Sequence, residues 1–199
     1  MPDLLIALLS ITALLILLEV IARLSKCPPS VMRKITHVST SLLICLIALL
    51  MGHTIFVYLG LLFIFVLAGV RHIYPLRSLS DRASQSYGEV FFAVGIMSAA
   101  FICTTAPQFI TTVLILGLAD TTAYFIGRHF TSPKILFGKT ILGSLAFVIT
   151  SFVICLFTLS PLHALGIALV LSACELVSPY GSDNATVSIA AAALLVVAA

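Results

Sequence analysis

Asp120 stands inside GLADTTAYFIGRHF, residues 117–130, an apolar stretch that ends on Gly127 and Arg128. A carboxylate at the centre of a membrane helix costs about 2.5 to 3.5 kcal/mol, and less near the interface, so Asp120 needs a cation, a metal ion or a wet cavity beside it. Ala119, Ala123 and Gly127 recur every four residues around it, which lets another helix come close. The spacing predicts a packed, concave slot lined by a carboxylate; a paired or protonated Asp stapling two helices is the structural alternative.

Three further groups carry chemistry. GKTILGS, residues 138–144, is not a Walker A loop, because Pro133 occupies the position of its first Gly and no strand precedes it. Gly138, Lys139, Thr140, Gly143 and Ser144 instead open a helix, whose free N–H groups and dipole favour an anion, with Lys139 as a point charge or an interfacial anchor. In MRKITHVS, residues 32–39, Arg33 and His37 lie at i and i+4 with Lys34 beside them, as headgroup contacts or phosphate ligands. His37 also exchanges protons near neutrality. CELVSPYGSDNA, residues 174–185, offers Glu175, Asp183 and Asn184; acid and amide oxygens suit Mg2+, and an ordinary turn with an N-cap accounts for SDN equally well.

Together these residues supply what phosphoryl chemistry asks for: carboxylates for Mg2+, cations for phosphate oxygens, and a base for an attacking hydroxyl.

The elements that must position them are membrane helices. The chain has 199 residues, 61% hydrophobic and only 9% charged, with a mean hydropathy of +1.26; an ordinary soluble domain carries roughly a quarter charged residues. Apolar runs at about 4–22, 38–51, 54–70, 88–106, 108–127, 143–159, 162–177 and 186–199 predict an all-α polytopic protein with about seven to eight spans. The first run extends to Ala22 without a basic leader, which reads as a retained span. All 10 Lys and Arg residues fall at 23–37, 71–87 and 128–142, so alternating spans put them on one face, which the positive-inside rule makes cytoplasmic, with the N-terminus opposite. The loop at 178–184 falls on that face too, and the active site is expected at cytoplasmic helix ends. No loop is long enough for a separate domain, so 1–199 reads as a single transmembrane domain. The net charge of +3 therefore reports topology, and no nucleic-acid partner is implied. The 5 cysteines lack metal spacing and read as small buried hydrophobes.

RKxxH at 33–37, SYGEVFF at 86–92, DxxAxxxGR at 120–128, KTxxGS at 139–144 and E(x)7DN at 175–184 occur in the order found in polyprenol kinases, a group that includes dolichol kinase, phytol kinase and CTP-dependent diacylglycerol kinases. The resemblance covers a core from 33 to 184. It implies transfer of the γ-phosphoryl of CTP, or another nucleoside triphosphate from the cytoplasm, to a lipid alcohol drawn from the bilayer. On that reading Asp120 and Asp183 bind Mg2+ with Asn184 assisting, Arg128 and Lys139 hold the triphosphate, Arg33 and Lys34 are second-tier contacts, and His37 or Glu175 is the base. The chain departs from the family pattern at Leu142, where Glu is common, and at Thr131, where Gly is. DTTAYFIGRHF followed by KT also resembles CDP-diacylglycerol synthase, a cytidylyltransferase, although that enzyme's C-terminal signature is missing. A transporter using Asp120 for a proton or cation path is a third reading, opposed by the gathering of polar residues at one face.

Overall fold

The computed structural model describes residues 2–74, 76–79 and 86–198, and among them the regular structure is all helical, with one isolated β-bridge. Nine α-helices follow in order: α1 Pro2–Leu24, α2 Pro29–Met51, α3 Ile55–Ile73, α4 Gly88–Ile102, α5 Ala106–Leu114, α6 Asp120–His129, α7 Ile141–Cys155, α8 Pro161–Val177 and α9 Asp183–Val197. Between α5 and α6 the helix does not stop but widens into a π turn, Ile115–Ala119. Arg82, expected with the other cations on one face, lies outside the described residues.

The helix starts are written locally. Proline occupies the first turn of α2, α5 and α8, where its missing N–H costs nothing. Thr105 and Gln108 form a capping box at α5, and Thr140 accepts the Gly143 N–H at the start of α7. Pro29 starts α2 nine residues ahead of the apolar run expected at 38–51. The segment 29–37, expected as loop, is therefore helical and carries Arg33, Lys34 and His37 on the first turns of α2.

By length and composition, α1, α2, α3 and the continuous helix Ala106–His129 can each cross a membrane; α4, α7, α8 and α9 are shorter apolar helices. Large apolar side chains point outward along them, among them Leu9, Tyr58, Phe65, Phe101 and Phe157. A soluble monomer does not expose apolar surface on that scale, and a lipid-embedded one does.

Two clusters make the interior. Ile11, Ile44, Phe56, Leu59, Ile96, Phe109 and Leu116 hold α1 to α5 together, with Phe56 stacked on Phe109 at 5.3 Å between ring centres. Ile115, Phe147, Ile154, Leu171, Val187 and Leu195 join the π turn to α7, α8 and α9. Lipid tails are as apolar as these side chains, so the helices associate through close packing, which small residues permit. Helix α9 shows it: its Ala191 and Ala192 are fully buried, and it runs so near α4 that a Cβ on Gly95 would lie 2.5 Å from the Asn184 carbonyl. The Ala-rich final segment, weak as a span by sequence, is a shared wall of both clusters.

Candidate phosphate-binding pocket

At the end of the bundle where α2, α7 and α9 begin and α6 and α8 finish, a pocket of about 460 Å3 opens. Its walls carry Ser30, Arg33 and Lys34 from α2, Asp120, Tyr124, Gly127 and Arg128 from α6, Lys134 and Gly138 to Thr140 from the loop, Gly143 and Ser144 from α7, Glu175 from α8 and Asp183 from α9. Of the catalytic, phosphate and metal candidates read from the sequence, only His37 and Asn184 are missing from that lining.

The pocket is wired as cation–carboxylate sets. Lys34 Nζ donates to Asp120 Oδ2 at 2.5 Å, and His37 Nδ1 stands 3.4 Å from the same oxygen. Lys34 and His37 reach Asp120 together because they lie one helical turn apart; Arg33, expected to share the face of His37, points instead toward Gly88, with Nη2 3.0 Å from where a Cβ on that glycine would sit. Lys34 thus moves from a second-tier contact to the direct partner of Asp120. Lys139 Nζ lies 2.6 Å from Glu175 Oε1 and 3.1 Å from Asp183 Oδ2, and also donates to the Glu175 carbonyl. Arg128 reaches Tyr124 Oη at 2.6 Å and Ser30 Oγ at 3.1 Å, leaving it without a carboxylate partner among the described residues.

The basic loop is a small hairpin. Lys134 and Thr140 form an antiparallel bridge, Lys139 N–H donates to the Leu136 carbonyl at 2.9 Å, and Phe137 and Gly138 both have positive φ, at 50° and 80°. Positive φ at both central positions is what a type I′ turn requires, and Gly138 takes it without strain. The turn directs Lys139 inward.

One expectation is corrected here. The start of α7 is not a free anion cradle, because Ser132 Oγ accepts the Leu142 N–H at 3.2 Å and Thr140 Oγ1 accepts the Gly143 N–H at 3.2 Å. Two hydroxyls and the Pro133 carbonyl, which accepts the Ile141 N–H at 3.1 Å, take up the first-turn donors. What Gly143 contributes is proximity: a Cβ added to it would lie 3.4 Å from Gly127 Cα, and one added to Gly127 would lie 2.6 Å from Thr140 Oγ1. The recurrence of small residues ahead of Arg128 does bring another helix close, and that helix is α7. Ser144 Oγ, also in the pocket wall, is buried and unpartnered.

Asn184 is the second correction. It is 2% exposed, and its amide donates to the Gly88 carbonyl at 2.8 Å, so it clamps α9 to α4 and does not face the pocket. The same junction joins two sequence motifs: Tyr87 N–H and Ser86 Oγ both donate to the Tyr180 carbonyl, at 3.2 and 3.1 Å. Gly181, at φ 86°, lies against Gly88 where any side chain would collide. SYGE and SPYGSDN thus build one structural seam.

Sequence reasoning gave no role to Tyr124, Ser30, Lys134 or Glu19. Tyr124 precedes Arg128 by one helical turn, a spacing that could have flagged it. Glu19 has no such signal: it accepts the Arg77 and Ser78 N–H groups at 3.2 and 2.9 Å and pairs with Arg23 at 2.7 Å, tying α1 to a distant loop.

Among the described residues no group of three His, Cys, Asp or Glu side chains is placed to hold a metal. An all-protein cage is thereby set aside, whereas Mg2+ shared between one or two carboxylates and phosphate oxygens fits. Glu175 Oε2 is buried without a partner beside the Lys139 pair, and Asp120 and Asp183 face the same pocket.

No family model, curated protein or solved structure matches the chain.

Proposed function

We propose that the chain is a multi-pass membrane lipid kinase, its eight apolar helical passes leaving the pocket on the cytoplasmic side, and that it transfers the γ-phosphoryl group of CTP or another nucleoside triphosphate to a lipid alcohol. The observation that carries this reading is the convergence of Asp120, Glu175 and Asp183 with Lys34, Lys139 and Arg128 on one pocket from five separate elements. A structural staple needs one such pair. A site for a polyanion and its cation needs several, pre-aligned and mutually neutral until the ligand arrives.

Asp120 and Asp183 are the carboxylates that would take Mg2+, which supplies charge neutralisation for the phosphate oxygens. As the triphosphate binds, Lys139 and Lys34 turn from carboxylate to phosphate oxygens, and Arg128, which has no carboxylate partner among the described residues, holds its fork toward the same ligand. In the transfer the alcohol oxygen bonds to the γ-phosphorus, the bond from that phosphorus to the bridging oxygen breaks, and the nucleoside diphosphate leaves. The hydroxyl proton passes to His37 or Glu175. The resemblance to polyprenol kinases supports the acceptor class; the polar pocket at the end of a bundle whose helices turn large apolar side chains outward supports a substrate delivered by the bilayer.

The test is to incubate purified protein with Mg2+, lipid alcohol or phosphatidic acid, and CTP labelled at the γ or the α phosphate. Label reaching lipid from γ alone establishes the kinase. Label from α establishes a cytidylyltransferase, for which the same cations would serve the α-phosphate. No transfer from any nucleotide to any acceptor, with Asp120→Asn indistinguishable from the parent, overturns both.

A further inference from the structure

The hairpin between α6 and α7 turns three consecutive large apolar side chains outward, Ile135 at 47%, Leu136 at 46% and Phe137 at 63% exposure. Lys134 and Lys139 flank them, and no Asp or Glu occurs anywhere between Asp120 and Glu175. A run of exposed apolar residues on a loop is unfavourable in water and marks a contact surface. Phe137 holds its place at a φ of 50°, which a bulky residue rarely adopts.

The helix that follows identifies the contact. Along α7, Ile141, Leu145, Ile149 and Val153 recur every four residues, and each is 49% to 54% exposed, so one face of α7 is an apolar stripe turned to lipid. Yet α7 has only 15 residues, about 22 Å at 1.5 Å per residue, against a hydrocarbon core of about 30 Å. The hairpin lies at its start, and three extended residues at about 3.3 Å each supply about 10 Å. Its backbone is also fit for such a place. Ile135 N–H donates to the Lys139 carbonyl at 2.7 Å and Lys139 N–H to the Leu136 carbonyl at 2.9 Å, so the arms satisfy each other, as a segment entering lipid must.

We propose that the hairpin tip, residues 135–137, seats in the bilayer leaflet at the pocket end of the bundle, with Lys134 among anionic headgroups, and that this seating holds Lys139 at Glu175 and Asp183. Charge selects the leaflet: the arm beside the tip is cationic, and anionic lipid attracts it. Ile135 and Leu136 lie outside the pocket lining, whereas Lys134, Phe137, Gly138 and Lys139 belong to it. One small hairpin thus meets lipid with its tip and the pocket with its arms. The inference needs only that the helices lie in a membrane, and it stands or falls apart from the kinase reading.

The chain contains no tryptophan, so Leu136→Trp places a single fluorophore on the tip of the full-length protein. The variant is reconstituted in nanodiscs of acyl-brominated phosphatidylcholine, with and without phosphatidylglycerol, and Ile149→Trp on α7 is the lipid-facing reference. Quenching at 136 is expected to reach at least about half of that at 149 and to rise with phosphatidylglycerol; Lys134→Gln removes the rise. Ile135→Asp, at an exposed position, abolishes quenching at 136 and speeds tryptic cleavage after Lys139 about fivefold or more, while thermal unfolding shows that the bundle is intact. Water-like emission at 136 without bromine quenching in either lipid overturns the seating. Shielding from both bromine and aqueous iodide overturns it too, assigning the tip to a second copy or another protein. Quenching indifferent to phosphatidylglycerol refutes the headgroup contact of Lys134, and unchanged cleavage in Ile135→Asp refutes the hold on Lys139.

Discussion

The Lys34 ammonium lies 2.5 Å from the Asp120 carboxylate, joining the first turns of α2 to α6 in the wall of the polar pocket. Both side chains are mostly buried, at 8% and 17% exposure. Removing one partner of such a pair leaves a stranded charge, whereas removing both does not. Lys34→Met is expected to lower stability by about 3 kcal/mol, and Lys34→Met with Asp120→Asn to recover most of that loss. Thermal unfolding in detergent of the two single variants and the double variant gives the coupling; additive losses would refute it.

Lys139 holds Glu175 and Asp183 and on the proposed reading would meet the triphosphate. Lys139→Gln should weaken Mg2+–nucleotide binding by about tenfold or more, the scale of a lost charge-assisted hydrogen bond. Equilibrium binding of a fluorescent nucleotide reads this without any need for turnover. Unchanged affinity would remove Lys139 from the site.

Gly127 faces Thr140 where a Cβ would sit 2.6 Å from the hydroxyl that caps α7. Gly127→Val is expected to cost about 2 to 4 kcal/mol, overpacking plus a lost cap, and Gly143→Ala less, since its nearest contacts are at 3.0 Å. Thermal unfolding of the pair ranks them, and the reverse order would show that α6 and α7 yield easily.

Asn184 separates structure from chemistry. Because its amide serves Gly88, Asn184→Ala should destabilise by about 1 to 3 kcal/mol while leaving the Mg2+ concentration dependence of nucleotide binding where it was. A shifted Mg2+ dependence in a fully folded variant would return Asn184 to the metal site.

Much of the helical layout was legible, because each apolar run is long and bounded by Pro, Gly or charge. The α2 start was not, since the run begins at Val38 while Pro28 and Pro29 set the helix start; that difference turns Lys34 from a membrane-edge cation into the partner of Asp120. The convergence of Asp120, Glu175 and Asp183 was readable from alternating spans. Which cation meets which acid was not, because Lys139 is aimed by a hairpin whose turn depends on Phe137 and Gly138. The Asn184 clamp arises from contacts between segments far apart in sequence, for which local spacing holds no record.

The π turn at Ile115–Ala119 immediately precedes Asp120. Widened turns of this kind are frequent at functional sites. An α-helix rotates about 100° per residue and the π turn takes up one residue more than an α turn would, so the same sequence wound as regular helix through this segment would swing Asp120, Tyr124 and Arg128 away together. The polarity of the pocket is therefore a matter of phase as much as of residue identity. A regular helix here would keep every charge and present the pocket with Ala119 where Asp120 now stands.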